Sequence, residues 1–289
     1  MSPANGAGSV RALVRRRDGA VESFGEDSLV VEEPLEVRVR DGALEAVRLL
    51  VTMRTPGQDE DLAAGLLFSE GIVESPEELL GFSRPDDPSL PPELVQNVIV
   101  AGLAPRTGGR PLAVRHAGYV SSACGVCGDL SIGEVAARAA AARRRAGEGK
   151  REGPVVAAPL LSALPESLRR EQALFRSTGG LHAAGLFEED GTPAVVREDV
   201  GRHNATDKAI GSCLRARRRV PPILLVSGRL GFEIAQKAAL AGVRILCSVS
   251  APTSLAVELA EETGMTVVGF LRGERFNVYA HPARVRGGG

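Results

Sequence analysis

Two cysteines, Cys124 and Cys127, sit two residues apart in the run Ser121-Ser122-Ala123-Cys124-Gly125-Val126-Cys127-Gly128. Thiols at that spacing can pack as inert small residues, supply half of a zinc site, or act as a reactive sulfur nucleophile. Gly118, Gly125 and Gly128 relax the backbone here, which predicts a pliable loop and favours the reactive reading. A structural zinc site needs four ligands, yet there is no second C-x-x-C, and Cys213 and Cys247 fall in apolar segments. Just downstream, Ser131-Ile132-Gly133-Glu134 has capping-box spacing and predicts a helix start. The helix dipole, together with Arg115 and His116, would favour thiolate over thiol.

A second set of polar residues falls where a sheet would present them. Three short apolar runs, Ile223 to Ser227, Val243 to Ser250 and Met265 to Phe270, alternate with helical segments and predict buried parallel strands. Open α/β sheets bind ligands beyond the carboxyl ends of such strands. Those ends read Ser227-Gly228-Arg229, Ser250-Ala251-Pro252-Thr253 and Phe270-Leu271-Arg272-Gly273-Glu274-Arg275. The first two also open helices, whose free N–H groups suit an anion, and Arg229, Arg272 and Arg275 can fork onto phosphate. A phosphate-bearing ligand is the expectation, set against the ordinary use of Ser and Thr as helix caps. Two histidines flank the site: His182 after Thr178-Gly179-Gly180-Leu181, and His203 within Glu198-Asp199-Val200-Gly201-Arg202-His203-Asn204. They can transfer protons, contact ligand, or serve as hydrogen-bonded structural residues, with Asp199 and Asp207 placed to orient them or Arg202.

The elements that must position these groups fall into two units. Residues 1–20 are Gly-, Ala- and Arg-rich and are expected to be a disordered tail. Residues 21–152 read as an α+β domain carrying the cysteine loop. It comprises a hairpin about Asp41-Gly42, a helix from Asp59 to Phe68, strands near Val95 to Val100 and Pro111 to Arg115, and an Ala-rich helix from Ile132 to Arg145. The apolar-poor stretch Ala146 to Gly153 is the expected linker. Residues 153–286 read in the order α-β-β-α-β-α-β-α-β, an α/β unit with a three-layer mixed sheet. Gly242 and Gly264 fall at its expected helix C-caps.

Composition bounds the function classes. At 289 residues, with 44% hydrophobic and 25% charged residues, the chain has the balance of a globular protein. A net charge of −1 gives no overall pull toward nucleic acid or an anionic membrane. The basic runs Arg143 to Arg145 and Arg215 to Arg219 read as solvated helix ends. No apolar run is long enough to span a bilayer, and the N-terminal residues lack the apolar core of a secretory signal. Four cysteines do not make a disulfide framework for this length, so a cytoplasmic location is expected.

Taken together, from about Val30 to Tyr279, the chain resembles the formate dehydrogenase accessory sulfurtransferase family (FdhD). The likeness is carried by Cys124-Gly125-Val126-Cys127-Gly128, Thr178-Gly179-Gly180-Leu181-His182-Ala183-Ala184, Glu198 to Ala205, the three strand ends above, and Gly269 to Asn277. It implies that Cys124, with Cys127 in support, accepts sulfur from a cysteine desulfurase as a persulfide. The sulfur would pass to a molybdenum cofactor, the bis(molybdopterin guanine dinucleotide) form, bound as substrate at Phe270 to Arg275 and destined for formate dehydrogenase. It also implies a homodimer, no permanent metal, and a cytidine deaminase-like fold for the second unit. A zinc deaminase itself is disfavoured. His116, His182, His203 and His281 are followed two positions on by Gly118, Ala184, Ala205 and Ala283 rather than Glu, and Ala123 stands where that signature has Pro. A non-enzymatic chaperone that only holds the molybdenum cofactor is the alternative role.

Overall fold

The computed structural model describes residues 8–42, 45–86, 90–105, 118–120, 131–145 and 153–287. Strands β1 (Ser9–Asp18) and β2 (Val21–Val30) form an antiparallel hairpin, closed by Gly19 in the left-handed region. The expectation of disorder through Ala20 is therefore corrected from Ser9 onward. Val10, Ala12 and Val14 share one face of β1, and on the other Arg11 and Arg15 pair with Glu26 and Glu22 of β2.

The first unit continues with β3 (Glu33–Asp41), β4 (Val47–Arg54), α1 (Asp59–Ser69), β5 (Leu79–Ser83), the short α2 (Pro92–Val95), β6 (Val98–Leu103) and β7 (Gly118–Val120). The five strands from β3 to β7 form one sheet, ordered β5-β6-β3-β4-β7. β3 runs antiparallel to β4 and parallel to β6, and β7 runs parallel to β4. Leu35, Val37 and Val39 alternate inward and bury against Leu62, Leu66 and Leu67 of α1.

The second unit holds α3 (Ile132–Arg145), β8 (Val156–Ala157), α4 (Ala158–Glu171), α5 (Ala173–Thr178), β9 (His182–Phe187), β10 (Pro193–Asp199) and α6 (Arg202–Arg215). It closes with β11 (Ile223–Val226), α7 (Phe232–Leu240), β12 (Ile245–Ser248), α8 (Ser254–Thr263), β13 (Thr266–Arg272), β14 (Arg275–Ala280) and β15 (Val285–Arg286). Its six-stranded sheet is ordered β10-β9-β11-β12-β13-β14, with β11, β12 and β13 parallel. Alternation splits the core by parity. Leu224, Val226 and Leu246 face α3, α6, α7 and α8, whereas Ile223, Leu225 and Ile245 face Leu161, Leu164 and Leu168 of α4. The mixed, helix-covered sheet matches the expected element order and adds the edge strand β14. The helix at Ile132–Arg145, expected with the first unit, instead buries Val135 and Ala139 in this core. A charge-rich linker after it is a poor guide, because packing decides membership.

The two units meet where α1 crosses α6. A methyl group on Gly65 would overlap the Asp207 carbonyl, and one on Gly211 would overlap the Asp61 carbonyl, so the helix backbones touch. Helix axes come this close only over residues without a Cβ. Gly65→Ala or Gly211→Ala is expected to force the helices apart and destabilise the chain by about 1–3 kcal/mol or more, read as a lowered urea midpoint.

Candidate functional site

Because β11, β12 and β13 are parallel and β9 is antiparallel to β11, three carboxyl ends and the start of β9 converge at one edge of the sheet. There they floor a cavity of about 940 Å³. The sheet contributes His182, Ser227, Val249, Leu271, Arg272 and Gly273. The opposite wall comes from Arg169 of α4, Gln172, and Phe175 of α5, with Gly179 and Gly180 at the rim. The wall is held in place by Glu198 of β10, whose carboxylate accepts the Leu174 and Phe175 amides at 3.0 and 2.8 Å.

His182 and Ser227 form the floor. Ser227 Oγ lies 3.4 Å from His182 Nδ1 and accepts the Ala183 amide at 2.9 Å. Burial, reinforced by the nearby Arg202 charge and opposed by Asp199, holds the His182 pKa below its ordinary value, so the imidazole is neutral at pH 7. Gly228 packs tightly, since a Cβ there would lie 3.2 Å from the side chains of both His182 and Arg202. At β13 the chain kinks: Phe270 takes φ of 55°, its amide donates to the Ser250 carbonyl at 3.0 Å, and its ring is exposed. A non-glycine residue in that region is uncommon and strained, which is the kind of backbone found at ligand clamps. Arg272 Nε donates to the Val249 carbonyl at 3.3 Å, while Glu274 and Arg275 lie exposed beyond it.

The expected ligand residues thus divide. His182, Ser227, Leu271, Arg272 and Gly273 line the cavity. Gly228, Ser250 and Phe270 do not line the cavity but adjoin its lining residues, and Arg229 is exposed next in sequence. Thr253 caps α8 instead, its side chain accepting the Ala256 amide. His203 pairs with Glu233 at 3.2 Å. Asp199 is placed wholly inside the protein, so it has no face for ligand. It accepts from the Thr55 and Gly201 amides and from Asn204 Nδ2, and pairs with Lys208 at 2.7 Å. Its short acidic side chain between polar neighbours resembled a ligand contact, but those neighbours consume its lone pairs.

Cys124, Cys127, Arg115 and His116 lie outside the described residues. Their flanks are described. β7 ends at Val120, paired with Thr52, and Thr52 Oγ1 donates to Asn204 Oδ1 at 3.3 Å, within the Glu198-to-Ala205 motif. On the other side the capping box forms as expected: Ser131 N donates to Glu134 Oε2 at 2.8 Å, and Glu134 N to Ser131 Oγ at 3.3 Å. Cys213 and Cys247 are buried, and burial pushes their thiols up to about 11 and about 12, so both stay protonated at neutral pH.

One wall of the cavity escaped sequence reasoning, and Arg202 was named there only as a group that Asp199 or Asp207 could orient. The α4–α5 wall carries no motif, because its α4 contact residues lie on an amphipathic helix among core leucines and Gln172 and Phe175 follow it without a recognisable pattern. Arg202 had a visible signal, since a cation in the first turn of a helix opposes the macrodipole. Its Nε is buried without a partner, with Arg229 and Glu233 close enough to act on its charge. Among the described residues, no group of three His, Cys, Asp or Glu side chains is arranged to hold a metal ion. No described helix is long and apolar enough to cross a membrane.

Known proteins match nearly the whole length of the chain. Residues 30–286 match the FdhD/NarQ family, a span that starts at the last residue of β2. A relative from Nocardia farcinica, named sulfur carrier protein FdhD, is 45% identical over 286 residues, covering 96% of each chain. Relatives of the same name from Streptomyces coelicolor (46% identical, covering 95% of this chain and 94% of the relative) and Thermoplasma volcanium (40% identical, 97% of each) also match. A crystal structure from Desulfotalea psychrophila, described as of a formate dehydrogenase accessory protein, shares the fold with a TM-score of 0.67 at 22% identity. It spans 96% of this chain and 99% of that one. The chain therefore belongs to the FdhD/NarQ family.

Proposed function

We propose that this protein is a sulfur carrier in formate dehydrogenase maturation, a role supported by the sulfur carrier names of its relatives. Cys124 takes sulfur from a cysteine desulfurase, and the acceptor is a bis(molybdopterin guanine dinucleotide) molybdenum cofactor bound as substrate. The observation that carries the acceptor half is the open cavity at the strand ends. Its volume of about 940 Å³ is at the large end of small-molecule sites, as a nucleotide-bearing ligand needs. Arg169 and Arg272 in its lining offer cationic forks, with the Glu166 carboxylate beside Arg169, and the exposed Phe270 ring, next in sequence to the lining residue Leu271, offers a stacking face for a base.

Loading is a thiol exchange. The Cys124 thiolate attacks the outer sulfur of the donor persulfide, a new S–S bond forms, and the donor leaves as its thiolate. In unloading, the Cys127 thiolate attacks Cys124 Sγ and expels the outer sulfur as hydrosulfide. The resulting Cys124–Cys127 disulfide is reopened by a cellular dithiol. The neutral imidazole of His182 can accept or donate a hydrogen bond at the acceptor without adding charge. Cytoplasmic residence, action as two copies, and a cytidine deaminase-like second unit complete the reading.

GDP serves as a probe of the cavity. Isothermal titration is expected to show binding that Arg272→Glu weakens by roughly 10-fold or more, the equivalent of one lost charge-assisted contact. Equal affinity in the two proteins would remove the cavity from the mechanism.

A further inference from the structure

A second, smaller crevice opens on the seam between the two units. Phe68 of α1 and Val73 just beyond it line it from the first unit, and Ala141 of α3 and Leu240 of α7 from the second. Arg138 and Arg145, two helical turns apart on one face of α3, complete the lining. Gly71, in the left-handed region, carries the chain directly beneath Arg138, where a Cβ would come within 2.7 Å of Nη1. A volume of about 100 Å³ is too small for a nucleotide and gives room for one large side chain.

The crevice lies at the edge of the sheet away from the ligand cavity. Leu240 ends α7, whose chain runs on to the amino end of β12. Arg143 of α3 donates to the carbonyl of Thr263, which ends α8 just before the amino end of β13. The large cavity sits at the carboxyl ends of these same strands. A partner seated on the crevice therefore leaves that cavity open. The charge around it is mainly positive. Arg145 pairs with Glu74 at 3.0 Å, whereas Arg138 and the exposed Arg144 have no carboxylate partner among the described residues.

We infer that this crevice docks the protein that donates the sulfur, through an apolar anchor side chain flanked by carboxylates. The inference rests on the loading step proposed above. An apolar hollow that takes one side chain is the usual seat of an interface anchor, and the cationic rim complements an acidic partner. Connectivity favours the donor over the acceptor's client enzyme. α3 begins beside Ser131, four residues after Cys127, and Arg138 lies seven residues, about 10 Å of helix, further on. A donor held there is close to the point where the cysteine-bearing segment rejoins the fold. A client enzyme needs the opposite edge, where the acceptor cavity opens.

Two full-length variants test the inference: Arg138→Glu reverses the rim charge, and Ala141→Trp fills the hollow. Each is loaded from a cysteine desulfurase with cysteine and, separately, from glutathione persulfide, a donor too small to need docking. In the second reaction the Cys124 thiolate takes the outer sulfur and glutathione leaves as its thiolate. At limiting desulfurase, both variants are expected to gain sulfur roughly 10-fold more slowly than the wild type, with the half-saturating desulfurase concentration raised and the maximal rate kept. Loading from glutathione persulfide is expected to be unchanged, as is thermal unfolding of Arg138→Glu. Desulfurase kinetics untouched by either variant overturn the docking site and leave the carrier reading standing. Equal slowing with both donors also overturns it, since the crevice then acts on the thiol or the fold. A wild type that takes no sulfur from the desulfurase overturns the loading step itself.

Discussion

Cys124→Ala protein incubated with a cysteine desulfurase and cysteine is expected to gain no sulfur, whereas the wild type gains the mass of one sulfur atom. The effect is expected to be all-or-none because the two buried thiols cannot replace Cys124 and Cys127 is assigned to expelling the sulfur rather than accepting it. Cys213 and Cys247 are buried, with thiols held up to about 11 and about 12, so their thiolate fraction at neutral pH is far below that of an ordinary cysteine. Cys127→Ala is expected to load normally and to retain its sulfur when an acceptor is added, because the residue that expels the hydrosulfide is gone. Intact-protein mass spectrometry with and without reductant reads both results. Undiminished loading of Cys124→Ala would falsify the carrier assignment. A Cys124→Ala/Cys127→Ala protein that still activates formate dehydrogenase would make the chain a cofactor-holding chaperone instead.

Lys208→Met is expected to cost about 3–5 kcal/mol of stability. Lys208 Nζ and the Asp199 carboxylate are both shut off from solvent, and the ammonium also donates to the Thr55 carbonyl at 2.9 Å. Deleting one partner of a buried pair strands the other charge in a poorly polarisable interior, which costs more than the pair itself contributes. The melting temperature is expected to fall on the order of 5–10 °C. Asp199→Asn combined with Lys208→Met should recover part of the loss, since the amide still accepts from neighbouring N–H groups and no charge is buried. Equal instability of the single and double variants would show that the loss came from packing rather than from the stranded carboxylate.

The sheet was legible where local chemistry and burial agree. The runs Ile223 to Ser227 and Met265 to Phe270 are apolar on both faces because helices cover both faces, and they form β11 and β13 within a few residues of their expected bounds. The capping box at Ser131 and Glu134 formed because it depends only on residues three apart. Long-range packing was not legible. Nothing local tells that the helix at Ile132 joins the second core, or that Asp199 spends its oxygens on Thr55, a residue of the other unit. The first hairpin was missed for a different reason. Asp18-Gly19 carries the same turn signal as Asp41-Gly42, but arginine-rich composition masked the alternation of Val10, Ala12 and Val14.

The crossing of α1 and α6 limits how the molecule can be re-engineered. With α6 clasped between its own sheet and a helix from the other unit, neither half is a self-sufficient module. The Asp61 carboxylate receives Arg197 and Arg215 across the same seam. Chimeras that graft the cysteine-bearing half of one relative onto the ligand-holding half of another will need α1 and α6 inherited together, glycines and carboxylates included.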